Sequence, residues 1–174
     1  VDPDAGYMVR DGKPTGFFYL DHRTVDGVHS LITDTHVTPA NVHDSGPYLD
    51  RIDRMRTRFG FEIGAVGLDA GYFTPHICKG LVERNIYGVI GYRRPNHKEG
   101  FFYKREYEYD AKADVYRCPN GQLLAYSTTN RLGYREYKSD AKQCSDCPSR
   151  AQCTASKNHV KVVTRHVWQH FKEQ

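Results

Sequence analysis

What this sequence lacks closes off several classes of protein at once. No apolar run approaches the ~20 residues that a membrane-spanning helix needs, and nothing ahead of the first strand-like segment has the pattern of a secretory leader. Cysteine is almost missing from the first two thirds, where Cys78 stands alone before Cys118. The total of five is odd, so a disulfide framework is not expected. Internal repeats and low-complexity tracts are absent, which excludes a solenoid or a disordered tail. The expectation is a soluble, intracellular chain with room, in 174 residues, for one domain with a real core or a domain plus an appendage.

Acidic residues are scarce in one half only. Residues 91–174 carry 9 Asp and Glu against 16 Lys and Arg, whereas residues 1–90 carry 12 against 9. The overall charge of +4 thus conceals a mildly acidic half and a basic one. That pairing suits a protein that holds metal with carboxylates and grips a polyanion elsewhere, and an ordinary solvated surface would also produce it.

The elements that are present follow one another closely. TGFFYLDHRTV, residues 15–25, is rich in aromatic and β-branched types and runs into the turn pair Asp26-Gly27, after which HSLITDTHVTPAN begins a second strand. A helix follows, with Asp44 or Ser45 as N-cap, Pro47 in its first turn, apolar Leu49, Ile52, Met55 and Phe59, and Gly60 as terminator. Arg51, Arg54, Arg56 and Arg58 are expected on its solvated surface. GAVGL, residues 64–68, suits a buried parallel strand. Thr74-Pro75 starts a second helix with Ile77, Leu81 and Val82 inward and Cys78 as a buried filler, and IYGVIGY, residues 86–92, is another strand. The order is β-β-α-β-α-β, an α/β arrangement over residues 1–95. Residues 96–165 change character to a basic, β-rich segment with cysteines, and residues 166–174 begin a helix that does not finish. The chain opens on Val1 and enters strand signals at once, from which a start partway through a domain is expected.

Asp69 is the leading candidate for chemistry, because it closes a parallel strand ahead of Ala70-Gly71-Tyr72 and a helix start, where open α/β sheets gather their ligands. Capping a turn is the bland alternative. Cys144-x2-Cys147-x5-Cys153, with Cys118 ahead of Pro119-Asn120-Gly121, offers four thiolates in a loop-rich segment that a tetrahedral Zn²⁺ could cross-link, with His159 as a substitute ligand. Reduced structural thiols are the next reading, and an iron–sulfur cluster the last. Arg93, Arg94, Lys98, Lys104, Arg105, Arg131, Arg135 and Lys138 alternate with Phe101, Phe102, Tyr103, Tyr107 and Tyr109, which suits phosphate contacts and base stacking or an amphipathic sheet.

VDPDAGYMVRDGK, VTPANVHDS, VGLDAGYFTPHICKGL, RCPNGQLL, GYREYKSD and CSDCPSRAQCT, taken in order, resemble insertion-sequence transposases with a DDE domain over nearly the whole chain. The resemblance implies an RNase H-like core in which two Asp and one Glu hold two Mg²⁺ ions for DNA cleavage and strand transfer. It also implies partners and a place: DNA ends and target, a homo-oligomer of the full protein, and a bacterial cytoplasm close to the nucleoid. Asp69 takes the position of the second Asp. The first belongs to a central strand preceding the DPDAG-like segment, and the third carboxylate to a Tyr-x2-Arg-x3-Glu helix beyond the cysteines, so neither is in this chain. Glu173 is rejected, since Gln169 and His166 stand where Arg and Tyr are required.

In the RNase H order the central strand would separate the hairpin from the Asp69 strand. At ~4.8 Å per strand that leaves the edge strand about 14 Å from Asp69. His43 and Asp44 are therefore expected at the start of the first helix with a contact to flanking DNA, Asp2 and Asp4 in turns, and His22 and Asp26 in surface or turn roles. Without the central strand, either the hairpin closes on the Asp69 strand or another chain supplies the pairing. The resulting fragment would bind DNA and be inactive by itself. A zinc-containing DNA-binding module without catalysis is the alternative, and an RNase H-like nuclease that does not transpose is a third.

Overall fold

The structure is a computed structural model that describes residues 2–92 and 94–173. It is a mixed α/β chain in two compact units, Val1–Arg93 and Arg94–Gln174, each with its own hydrophobic cluster. No helix among the described residues is long and apolar enough to cross a membrane.

In the first unit, β1 (Gly6–Met8), β2 (Gly16–Val25) and β3 (Ile32–Pro39) form a three-stranded antiparallel sheet with β2 in the middle. The Asp26-Gly27 turn sits where the sequence puts it: Asp26 Oδ2 accepts from the Val28 and His29 amides, and the Asp26 amide donates to the Leu31 carbonyl. The brief β1 was not anticipated. It pairs with β2 only over Gly16–Phe18.

Helix α1 (Tyr48–Phe59) begins after Pro47 rather than at Asp44 or Ser45 and ends where Gly60, at φ 65°, returns an N–H to the Arg56 carbonyl. A left-handed terminus of this kind is cheap only for glycine. Tyr48, Leu49, Ile52 and Met55 are its buried stripe and pack with Ile77, Leu81 and Ile86. Arg51 joins that buried face, contrary to the solvated role expected of it. Its Nε donates to Asp34 on β3 at 2.7 Å, and its Nη2 donates to the His22 carbonyl and Thr24 Oγ1 on β2. With only 3% of the Arg51 side chain and 8% of the Asp34 side chain exposed, the charge is matched where it is buried.

Strand β4 (Ala65–Leu68) pairs with β5 (Tyr87–Ile90) in parallel, across α2 (Pro75–Glu83). Thr74 caps α2 by accepting from the Ile77 amide, with Pro75 in the first turn. Gly80 leaves room for Leu49 of α1, whose methyls occupy the space a Cβ would need. Two expectations fail here. β4 alternates between exposed and half-buried residues instead of being buried, because among the described residues β5 is its only strand neighbour. Val82 is 44% exposed, because α2 packs through Ile77, Cys78 and Leu81. The hairpin has not closed on β4, and the three-stranded and two-stranded sheets stay separate.

The second unit is a five-stranded antiparallel sheet, ordered β10-β9-β8-β7-β6, from β6 (Glu108–Asp110), β7 (Val115–Arg117), β8 (Leu123–Thr129), β9 (Tyr134–Ser139) and β10 (Val162–His166). Two short helices, α3 (Ala141–Ser145) and α4 (Arg150–Cys153), cross between β9 and β10. Tyr107, Tyr116, Leu124, Tyr137 and Val163 form its core. Asp114 anchors this core, accepting from the Tyr109 and Tyr137 hydroxyls at 2.8 and 2.6 Å and pairing with Arg135. The unfinished helix expected from residue 166 appears as a single 3₁₀ turn, Gln169–Lys172.

Two stability measurements follow. Arg51→Met should cost the first unit about 3 kcal/mol in urea unfolding, the range for breaking a buried pair. Burial raises the Asp34 carboxyl, but the hydrogen bonds from Arg54 and Arg51 outweigh it and hold the group below its ordinary 3.8. That stabilisation is complete above pH 3.8 and is lost as the pH falls below it, so Arg51→Met should also flatten the acid loss. In the second unit, Asp114→Ala should cost about 2 kcal/mol by leaving the buried Tyr137 hydroxyl unpaired.

Candidate functional site

Asp69 lies at the carboxyl end of β4, in extended backbone, and starts the 3₁₀ turn Ala70–Tyr72. The side chain is exposed, and its Oδ1 accepts from the Gly71 amide at 2.7 Å. Tyr72 follows, half-buried and edge-on to Tyr48 at 5.1 Å between ring centroids. Burial pushes the Tyr72 phenol up, and the negative charges of Asp44 and Asp69 add to the effect. Asp44 and Asp69 thus both act electrostatically on this phenol.

Asp69 and Tyr72 are among the residues that line a groove of about 860 Å³. Arg23, Thr24 and Val25 of β2, all four residues of β4, and Ile52 and Met55 of α1 line it as well. Asp26 and His29 of the hairpin turn also line it.

The neighbouring polar residues have structural partners. Asp44 Oδ1 lies 3.6 Å from Arg10 and 3.9 Å from His22 Nδ1, while His43 Nδ1 meets Ser45 Oγ at 2.7 Å. His22, expected at the surface, is buried and shares a 2.8 Å hydrogen bond with Thr38 Oγ1. It lies on the face of β2 turned toward the core, and burial above all lowers its pKa. Asp2 accepts from the Asp4 amide and the Tyr19 hydroxyl, as a turn residue should. Glu173 is bound bidentately by Arg165, at 2.8 and 2.7 Å.

No group of three or more His, Cys, Asp or Glu side chains among the described residues is arranged to hold a metal ion. Asp69 alone, with one oxygen tied to Gly71, does not fit a two-ion site.

The four cysteines of the second unit nonetheless share one neighbourhood. Cys118 and Cys153 pack against the tyrosine core, and Cys153 Sγ meets the Tyr107 hydroxyl at 3.2 Å. Burial pushes the Cys153 thiol up, opposed by the Tyr107 bond and Lys161, with Cys118 and Cys144 adding to the rise. Cys147 Sγ accepts from Asn120, two residues beyond Cys118. His159 follows α4 with a positive φ of 55°. In the first unit Cys78 is buried on α2.

Of the expected DNA contacts, Arg93 lies outside the described residues. Arg94, Lys104 and Arg105 are exposed, and Arg105 lies over the Tyr103 ring at 4.6 Å. The Lys104 ammonium is lowered by desolvation and by the nearby cations Arg165 and Lys172, against Glu173. Lys98 lies 4.5 Å from the Phe101 centroid. Arg135 has an internal role, paired with Asp114 and placed over Tyr126 and Tyr137. Lys138 pairs with Glu136 at 3.4 Å, and Tyr107 is buried in the core rather than offered for stacking. Asp114 was missed in sequence; an Asp among alternating tyrosines and arginines was the available signal.

No curated protein and no solved structure matches the chain. Residues 117–174 match the family model described as "Transposase DDE domain". The matched segment holds Cys118, Cys144, Cys147 and Cys153, so this third of the chain is similar to DDE-type transposases.

Proposed function

We propose that the chain is part of the catalytic domain of an insertion-sequence transposase, with an RNase H-like first unit that contributes Asp69 to a divalent-metal site and a basic second unit that grips DNA. The observation that carries this reading is the position of Asp69, at the carboxyl end of a parallel strand and in the lining of a groove, in a chain whose residues 117–174 match a transposase family. The succession of hairpin, α1, β4, α2 and β5 agrees with it, and the groove between β2 and β4 is where the central strand of that fold would lie. The family match favours this reading over a stand-alone binding module.

Divalent cations held by carboxylates polarise phosphoryl oxygens and activate water or a 3′-hydroxyl for attack at phosphorus. Asp69 supplies one such carboxylate. The exposed Arg94, Lys104 and Arg105 are the proposed phosphate contacts, whereas Arg135 serves the fold. The cysteines are proposed to close on a Zn²⁺ by side-chain rotation, supported by Asn120, two residues beyond Cys118, donating to Cys147 Sγ and by Cys118 and Cys153 packing on one core.

Incubated with Mg²⁺ or Mn²⁺ and duplex DNA, these 174 residues should leave the DNA uncut. Robust cleavage that Asp69→Asn abolishes would overturn the single-carboxylate reading. DNA affinity should fall steeply with salt, by about 0.9 log units per tenfold salt for each phosphate neutralised. Replacing Arg94, Lys104 and Arg105 with Gln should reduce that slope, and a slope unchanged by the triple substitution would remove them from the interface. Elemental analysis after chelator-free purification should give close to one zinc per chain; a content below about a tenth of an equivalent would leave the thiols as packing groups.

A further inference from the structure

A second cleft, of about 410 Å³, is lined by Ile32, Thr33, Asp34 and Thr35 of β3 and by Arg54 and Arg58 of α1. Arg51, Arg54 and Arg58 stand three and four residues apart, so they share one side of the helix. One carboxylate answers these three guanidiniums. Asp34 accepts from Arg51 through Oδ2 and from Arg54 through Oδ1, so both of its oxygens are engaged. Among the described residues no carboxylate pairs with Arg58. Asp50 and Asp53 of the same helix lie outside the lining, and Asp53 is bound by Arg84. The cleft is left with positive charge that the fold does not neutralise.

The two outer arginines are held in position with donors to spare. Arg54 commits Nη2 to Asp34, which leaves Nε and Nη1. Arg58 lies over the Phe59 ring, 5.0 Å from its centroid, and Phe59 stacks on Phe61 at 5.1 Å. A guanidinium held through its face keeps its N–H edge for an acceptor. The strand adds another donor. The Phe18 carbonyl accepts from the Ala40 amide, so the pairs bonded between β2 and β3 are Leu20 with Thr38, His22 with His36, and Thr24 with Asp34. Thr35 falls between them and directs its N–H to the outer edge of β3, where among the described residues no strand pairs with it.

We propose that this cleft binds a phosphodiester group of a DNA backbone, with Arg54 and Arg58 as its two arms and the Thr35 amide as a third donor. Guanidiniums and backbone N–H groups are the donors that phosphate oxygens meet in such contacts, and a planar fork can hold two of those oxygens at once. A polypeptide strand added to the edge of β3 would use the Thr35 amide and leave both arginines without an anion. The contact belongs to the first unit and needs neither Asp69 nor the basic residues of the second. It takes from the transposase reading only the source of the phosphate.

The probe is a short mixed-sequence DNA duplex, titrated against the whole chain over a range of salt concentrations. Arg58→Gln, which breaks no ion pair, should weaken binding about tenfold, the effect of one hydrogen bond to a charged group. The Arg54→Gln/Arg58→Gln double variant should reduce the salt slope by about 0.9, the value for one phosphate. The duplex should also slow amide hydrogen exchange at Thr35 while leaving Asp34 and His36, already bonded to β2, unchanged. Affinity and slope unaltered by both variants would overturn the site. If the Arg94, Lys104 and Arg105 substitutions lower the slope in the same assay, the second unit's DNA contact stands without it. Inorganic phosphate that protects Thr35 where the duplex does not would assign the cleft to a free anion and overturn a backbone contact. Thr35 protection that grows with protein concentration in the absence of DNA would assign the edge to a second copy of this chain, with the same consequence.

Discussion

A single buried guanidinium organises the first unit. Arg51 sits on the apolar face of α1, yet it makes three contacts on two strands at once: Asp34 on β3, and the His22 carbonyl and Thr24 hydroxyl on β2. A planar fork of donors suits this task better than an ammonium would, since it reaches acceptors on both strands from one position. The cost of removing the charge from water is offset only because every contact is made together. The helix is thereby fixed in register on the hairpin, and through its other face, Leu49 against Gly80, it seats α2 and the strands on either side of it.

That arrangement also explains where sequence reasoning succeeded. The hairpin turn, the Gly60 stop and the Thr74-Pro75 cap were legible because each is decided by a few neighbouring residues. Arg51 and His22 were misread because their burial depends on partners 17 and 16 residues away, Asp34 and Thr38, that no local pattern reveals. Val82 has the helical spacing of a core residue but lies beyond the surface that α1 and β5 cover. The apolar text of β4 suits a strand with neighbours on both sides, and among the described residues it pairs with β5 alone.

Asp69 was legible as a position and through the wording around it, while its geometry adds a restraint: one carboxylate oxygen is committed to the turn it starts. The second unit was legible as basic, aromatic and β-rich, but its alternating residues serve two ends that composition does not separate. Some stack outward, as Arg105 does on Tyr103. Others turn inward, as Tyr137 and Arg135 do on Asp114, so a carboxylate organises a core made largely of phenols.

The separation of the first unit into two sheets has a mechanical meaning. Among the described residues no ladder of backbone hydrogen bonds joins β2 to β4, so the hairpin and the β4–α2–β5 segment are held to each other by side-chain packing on α1. Packing of this sort resists separation far better than it resists small sliding, because a sliding contact exchanges one apolar neighbour for another. The turn that carries Asp69 therefore takes its height above the hairpin from side-chain packing on α1 and not from a hydrogen-bond ladder between the two sheets.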